Sequence, residues 1–141
     1  MNNQRKKGVL LVQLGTPDAP STPEVRKYLT EFLMDGRVMD IPLLGRNLLV
    51  KGVIVPKRAA QSAETYATIW DEVNGSPLMY YSVLQQQVLQ EELGDEYHVE
   101  LAMRYQNPSL ESALKKMQGM YLESIKVIPF FPQYASATSG S

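Results

Sequence analysis

The stretch GVLLVQLG, residues 8–15, is apolar except for Gln13 and is bounded by two glycines. A short run of this kind is typical of a β-strand that is buried on both faces of a parallel sheet. Two later stretches, YHVELAMRY (97–105) and SIKVIPFFPQY (124–134), predict a second and a third strand. Helical patterns separate the strands, so the order predicts a parallel sheet with crossover helices.

Four helical patterns lie between the predicted strands along the chain. They cover residues 22–36, 62–73, 76–94 and 107–120, and small residues after Tyr134 predict the start of one more helix. Three of these helices are expected to begin where a capping residue precedes a proline, at Thr22-Pro23, Ser76-Pro77 and Asn107-Pro108. The alternation predicts an α/β fold, a Rossmann-like or flavodoxin-like three-layer arrangement in a single domain.

Composition excludes several classes of function. The 141 residues have a net charge of −1, with 44% hydrophobic and 21% charged residues, so we expect an ordinary globular protein. A nucleic-acid partner is not expected, because such proteins carry a surplus of basic residues. There is no cysteine, which excludes disulfides and thiolate chemistry.

Residues 40–60, which we call the lip segment, crowd apolar side chains together without a clean period. One interpretation is an irregular helix that covers the core. The other is an exposed apolar lip for a hydrophobic ligand or a membrane surface, which nearby Arg46, Lys51, Lys57 and Arg58 favour.

Polar and aromatic residues close the predicted strands. They are Gln13 and Leu14 on the first strand, Arg104 and Tyr105 on the second, and Gln133 and Tyr134 on the third. Ligands of open α/β sheets bind at these carboxyl ends. An arginine there is either an anion clamp or one partner of a salt bridge, and two tyrosines offer flat surfaces and hydroxyl donors. The set predicts a pocket for a large, flat, anionic molecule.

Six collinear stretches make the chain resemble the ferrochelatase family, whose members insert ferrous iron into a porphyrin. They are LLVQLGTPDAPSTPEVRKYLTEFL, DGRVMDIP, IVPKRAAQSAETYATIW, GSPL, ELAMRYQNPS and IPFFPQYASATSGS, and together they extend from Gly8 to Ser141. The bacterial, protoporphyrin-type members are the most similar. The resemblance implies a two-domain enzyme with the porphyrin in a cleft between two Rossmann-like layers, of which residues 1–141 are the incomplete N-terminal one.

The resemblance also implies roles for particular residues. The expected substrate-binding residues are Leu14, Ser76, Arg104, Tyr105, Tyr134, Ser136 and Thr138. The lip residues expected to touch a membrane are Leu44, Leu48, Leu49, Val53 and Ile54. The partners would be porphyrin and ferrous iron, both substrates, and no cofactor is expected. The expected location is the cytoplasm, with peripheral contact on the inner face of the membrane.

No catalytic or metal-binding residue is assigned. The family's catalytic histidine lies in a later segment, and the lone histidine, His98, stands near the start of the second strand. Histidine suits proton removal near neutral pH. We therefore expect the chain to be inactive alone and to need a C-terminal domain. The alternatives are a half-length homodimeric or split chelatase, and a non-enzymatic porphyrin-binding module. We also expect the full domain to have another helix and at least one more strand after Ser141, and without them an open sheet edge predicts self-association.

Overall fold

The computed structural model describes residues 5–131 and 133–140. Within them the strands are β1 Lys7–Gly15, β2 Tyr97–Tyr105 and β3 Ile125–Pro129. The α-helices are α1 Thr22–Met34, α2 Leu43–Leu49, α3 Val55–Ile69, α4 Pro77–Leu93 and α5 Leu110–Gln118. Residues 1–4 of the predicted domain, and Pro132 and Ser141 of the last family-like stretch, lie outside the described residues.

The three strands form one parallel sheet in the order β2-β1-β3. β1 is central because it is the most apolar strand, and its neighbours shield both of its edges. The predicted α/β fold with a parallel sheet is confirmed. β2 has the bounds that the sequence predicted, whereas β3 ends at Pro129 and not at Tyr134.

Alternate side chains of the strands build a core on each face of the sheet. On one face, residues of β1 and β2 such as Leu11 and Leu101 pack against Met79, Leu89 and Leu93 of α4. On the other face, a second cluster joins the strands to α5 through its buried residues; it comprises Leu10, Val12, Ala102, Ala113 and Met117. The helix–sheet–helix layering follows from this two-sided burial.

The outer edges of β2 and β3 have different surroundings. Along β2, side chains of α4 bond to the outer backbone: Gln90 Oε1 accepts from Val99 N–H at 2.8 Å, and Gln86 Nε2 donates to the Val99 carbonyl at 2.9 Å. Along β3, no strand of the described residues pairs with the outer side. Val127 is 55% exposed there.

The chain divides into two compact units. The first comprises the residues up to Gly15 together with Leu78–Phe130, and so contains the sheet. The second comprises Thr16–Pro77 and the residues from Phe131 onward. The division does not test the prediction of a single domain.

The second unit is built on a long helix that is interrupted once. α2 and α3 are joined without a break by a π-helical segment, Val50–Ile54. Val50 and Val55 are both buried against Leu29 and Leu33 of α1. The interpretation of the lip segment as an irregular helix that covers a core is therefore confirmed for its inner face.

Several predicted helix ends were wrong, each for a local reason. α1 is preceded by Ser21 as its N-cap, so Thr22 lies inside the helix. α5 begins at Leu110, because Ser109 Oγ accepts the Ser112 N–H and the Pro108 carbonyl accepts the Met103 N–H of β2.

The third predicted helix was too long at its C-terminal end. α3 stops at Ile69, before a turn that Asp71 closes. The carboxylate of Asp71 accepts the N–H groups of Val73 and Asn74. Residues 136–140 form a turn, and the helix predicted to start after Tyr134 is not present in the described residues.

Candidate functional site

Strands β1 and β2 meet closely at their carboxyl ends. Gly15 is in register with Tyr105 and has a φ of 127°, a conformation that side chains rarely adopt. A Cβ at Gly15 would stand 2.2 Å from the Tyr105 carbonyl oxygen. Only glycine fits at this position without strain.

Arg104 and Tyr105 form a stacked pair at the end of β2. The Arg104 Cζ lies 4.8 Å from the centre of the Tyr105 ring, within the range of a cation–π contact. Tyr105 is 1% exposed, while Arg104 is half-buried. The sequence led us to expect an accessible flat ring at Tyr105. The ring is instead buried, and it supports the guanidinium.

Leu14 precedes this pair on the neighbouring strand and is half-buried. Its N–H donates to Oε1 of Gln13 at 3.1 Å, so the polar side chain of Gln13 is occupied by the local backbone. Leu14, Arg104 and Tyr105 thus all lie in the first unit, near the carboxyl ends of β1 and β2.

Ser76 lies in the second unit and is buried. Its Oγ is 2.8 Å from Oγ1 of Thr16, which is also buried, and either oxygen can be the donor. Sequence reasoning missed Thr16. The available signal was its position directly after a strand that ends in glycine, where open α/β sheets place functional side chains.

The turn before Ser76 is stabilised by hydrogen bonds. Asp71 and Gly75 exchange two backbone hydrogen bonds of 2.9 Å. The N–H groups of Asn74 and Val73 bond to the carboxylate of Asp71 and lower its pKa below the usual value. Ser76 therefore follows a turn of defined geometry, and Pro77 opens α4 directly after it.

The remaining predicted substrate residues lie in the second unit, on the surface. Tyr134 is 79% exposed and Ser136 is also exposed. Thr138 Oγ1 donates to the Ala135 carbonyl at 3.3 Å, which stabilises the turn over residues 136–140. This stretch presents an aromatic ring and a hydroxyl group to solvent.

The lip segment exposes most of the apolar residues that the sequence singled out. Leu44 is 76% exposed, Leu48 69%, Val53 44% and Leu49 36%, whereas Ile54 is half-buried. Leu44 and Leu48 are one helical turn apart and so share a face of α2. The side chains of Lys51, Lys57 and Arg58 are exposed on the same continuous helix.

A comparison with protein-family models gives a match to ferrochelatase over residues 6–141. The chain belongs to the ferrochelatase family. The predicted resemblance is therefore confirmed over nearly the whole sequence.

Individual relatives agree with the family match. The ferrochelatase of Coxiella burnetii (strain RSA 493 / Nine Mile phase I) is 47% identical over 141 residues, which is the whole chain and 40% of the relative. Ferrochelatase 2 of Shewanella oneidensis is 47% identical over 96% of the chain and 42% of its own length. That of Alcanivorax borkumensis is 45% identical over 99% of the chain. The chain thus spans about two fifths of the length of these ferrochelatases.

His98 lies away from the strand ends where ferrochelatase-like substrate residues were predicted. It is near the amino end of β2, and its Nε2 is 2.8 Å from Oε2 of Glu100. Lys116 of α5 binds the same carboxylate at 2.9 Å. In residues 5–131 and 133–140 no three His, Asp or Glu side chains gather as a metal site, and no helix is long and apolar enough to cross a bilayer.

Proposed function

We propose that this chain forms part of a ferrochelatase, an enzyme that inserts ferrous iron into protoporphyrin IX in haem biosynthesis. The observation that carries the proposal is the family match from residue 6 to residue 141. Relatives named ferrochelatase support it at 45–47% identity across the chain. Iron is a substrate of this reaction and not a resident cofactor.

Arg104 binds a carboxylate of the porphyrin in this proposal. A guanidinium presents parallel N–H donors that match the two oxygens of a carboxylate. Stacking on the buried ring of Tyr105 limits the orientations of the Arg104 side chain. The side chain therefore loses little conformational freedom on binding, which favours affinity. Tyr105 acts through Arg104, as a positioning residue.

The other predicted residues contact the macrocycle and its rim. Leu14 offers apolar surface beside Arg104 on the neighbouring strand. Exposed Tyr134 can stack on a porphyrin face, since aromatic pairs gain stability beyond their buried area. Ser136 supplies an exposed hydroxyl group that can donate to the porphyrin carboxylates, and Thr138 stabilises the turn that presents it by donating to the Ala135 carbonyl.

Iron insertion also requires removal of two N–H protons from the porphyrin. Histidine is the side chain best suited to that task near neutral pH. The only histidine of the chain, His98, lies at the amino end of β2 and binds Glu100. We therefore assign the base to a part of the enzyme beyond these 141 residues, and we expect this chain alone to insert iron at a negligible rate.

A porphyrin titration tests the binding role. Protoporphyrin IX added to the chain should shift its Soret band, and Arg104→Gln should weaken binding about tenfold, the value of one charge-assisted hydrogen bond. Arg26→Gln, at an exposed position on α1, is the matched control and should bind as the unaltered chain does. An absent Soret shift, or equal losses in both variants, would contradict the proposal.

A metallation assay tests the assignment of the catalytic base to another part of the enzyme. The purified 141-residue chain, given ferrous iron and protoporphyrin under anaerobic conditions, should produce no protohaem above the uncatalysed rate. Robust turnover would overturn the assignment of the base to another part of the enzyme.

The exposed face of α2 supports peripheral membrane contact, and the proposal places the protein in the cytoplasm with the lip segment on the inner face of the membrane. Exposed leucines together with lysine and arginine are typical of surfaces that lie on an anionic bilayer. Replacing Leu44 and Leu48 by asparagine should abolish sedimentation with phosphatidylglycerol vesicles and leave the fold intact. Replacing Ile69 and Val73, two exposed apolar residues outside α2, by asparagine is the control, and equal losses would refute the assignment.

A further inference from the structure

The hydroxyl groups of Thr16 and Ser76 form a buried pair between residues that are 60 positions apart. Thr16 is 4% exposed and Ser76 is 7% exposed, and their oxygens are 2.8 Å apart. Thr16 follows Gly15, whose conformation is fixed by the close approach of Tyr105. Ser76 follows the turn that Asp71 closes. The backbone that leads into Ser76 is thus held by the hydrogen bonds of its own turn.

The pair has one proton more than it uses. Each hydroxyl carries a single proton and can also accept hydrogen bonds. One contact consumes one proton, whichever oxygen donates it, and the other proton has no acceptor among the hydrogen bonds of the described residues. Leaving a buried donor unpaired costs free energy, so the pair favours a ligand that brings an acceptor.

The surroundings of Ser76 favour a negatively charged acceptor. Ser76 directly precedes α4, a helix of 17 residues whose first turn contains no acidic side chain. The amino end of a helix carries partial positive charge, and here no carboxylate of its own first turn offsets it. A carboxylate of the substrate would satisfy both the spare proton and the helix end.

We propose that Thr16 is a positioning residue that sets the direction of the Ser76 proton. The Thr16 hydroxyl donates to Ser76 Oγ, and the Ser76 hydroxyl then donates to a porphyrin carboxylate. The two bonds point the same way, so each strengthens the other. This inference rests on the proposed porphyrin substrate and adds Thr16 to the residues that select for its charged groups.

Two porphyrins and three variants test it on the full chain. Affinities for protoporphyrin IX and for its dimethyl ester, both in detergent, are compared in Thr16→Val, Thr16→Ser and Ser76→Ala. Thr16→Val keeps the shape of the side chain and removes the donor. It should weaken binding of the dicarboxylate about tenfold and change binding of the ester less than twofold. Thr16→Ser, which keeps the hydroxyl, should restore the affinity.

A double variant separates positioning from independent binding. Thr16→Val combined with Ser76→Ala should lose no more affinity than Ser76→Ala alone, because both changes break the same chain of bonds. Additive losses, equal losses for the two porphyrins, or no rescue by Thr16→Ser would overturn the inference.

The remaining outcomes are also decisive. If Thr16→Val does not fold, Ser76→Ala replaces it, and an equal loss for acid and ester then refutes the inference. If the unaltered chain binds neither porphyrin, the proposed function fails and this inference fails with it. If the unaltered chain binds both and Thr16→Val is indistinguishable from it, only the inference fails.

Discussion

The sheet has two outer strands, and their edges are in different states. On the β2 side, Gln86 and Gln90 of α4 bond to the backbone of Val99, and Gln90 Nε2 also donates to the Tyr97 carbonyl at 3.0 Å. On the β3 side, no described strand continues the sheet, and Val127 and Ile125 are 55% and 40% exposed. An edge whose polar groups are satisfied by side chains resists pairing, whereas an open apolar edge invites another strand.

This difference indicates the direction in which the sheet can grow. The β2 edge is closed by groups of its own unit, so another strand would have to displace two glutamines. The β3 edge offers pairing groups without such competition. We therefore expect intermolecular contacts of the isolated chain to form at β3, in line with the self-association that the sequence predicted.

The largest effect should come from disrupting the contact between β1 and β2, because this contact holds β2, the strand with the closed edge, in the sheet. Gly15→Ala should destabilise the chain by about 3 kcal/mol, because a Cβ would overlap the Tyr105 carbonyl and the φ of 127° strains any side chain. Urea unfolding measures the change. Gly52→Ala is the control: nothing lies within 4 Å of its Cβ, so the free energy of unfolding should stay equal or rise by up to about 1 kcal/mol.

Opening the closed edge should have the next largest effect. Gln90→Ala leaves the buried Val99 N–H without its acceptor, which should cost about 2 kcal/mol of unfolding free energy. Gln87→Ala on the exposed side of α4 should change the free energy of unfolding by less than about 0.5 kcal/mol. Equal losses in the two variants would show that the edge is not closed by Gln90.

A charge on the open β3 edge should change the self-association of the chain more than its free energy of unfolding. Val127→Lys places a charge on β3 and should shift the isolated chain from dimers toward monomers, with an unfolding free energy changed by less than about 0.5 kcal/mol. Light scattering reports the mass. Val73→Lys, at a 90% exposed turn position, should leave the dimers unchanged. A monomeric unaltered chain would contradict the expectation directly.

The smallest effect concerns the second unit, which contains neither edge. Burial raises the pKa of Tyr66 above 10, and a hydrogen bond with Tyr28 partly offsets the rise. Since the folded pKa exceeds the unfolded one, the stability from neutral Tyr66 is fully present below pH 10 and is lost as the pH rises through the folded pKa. Thermal melts above pH 10 should fall more steeply for the unaltered chain than for Tyr66→Phe.

If the difference in melting temperature between the unaltered chain and Tyr66→Phe stays constant above pH 10, the ionisation of Tyr66 is not coupled to unfolding. The β3 mutant Val127→Lys should show the same alkaline loss as the unaltered chain, because the edge and Tyr66 lie in different units.

The sequence predicted the elements whose signals are local. The apolar runs predicted β1 and β2, and the pattern from Ser76 to Gly94 predicted α4, because burial on both faces and helical periodicity leave clear traces in neighbouring residues. The start of α5 was missed because Pro108 bonds back to Met103, a tertiary contact that overrides the capping pattern.

The sequence predicted the candidate site only in part. Arg104 and Leu14 lie near the strand ends as expected. The burial of Tyr105 and the pairing of Thr16 with Ser76 depend on which segments the fold brings together, and no local pattern encodes that. Likewise, Gln86 and Gln90 are ordinary exposed helix residues until β2 lies beside them.

The π-helical segment Val50–Ile54 has a consequence for how this family member can vary. Val50 and Val55 are both buried although five positions separate them, while the next buried residues, Ala59 and Ala63, follow at intervals of four. The wider turn absorbs one extra residue and keeps both valines on the inner face. Losing one residue there would rotate the leucines of α2 relative to the core. The lip should therefore accept many substitutions and reject insertions and deletions, because its orientation depends on residue count.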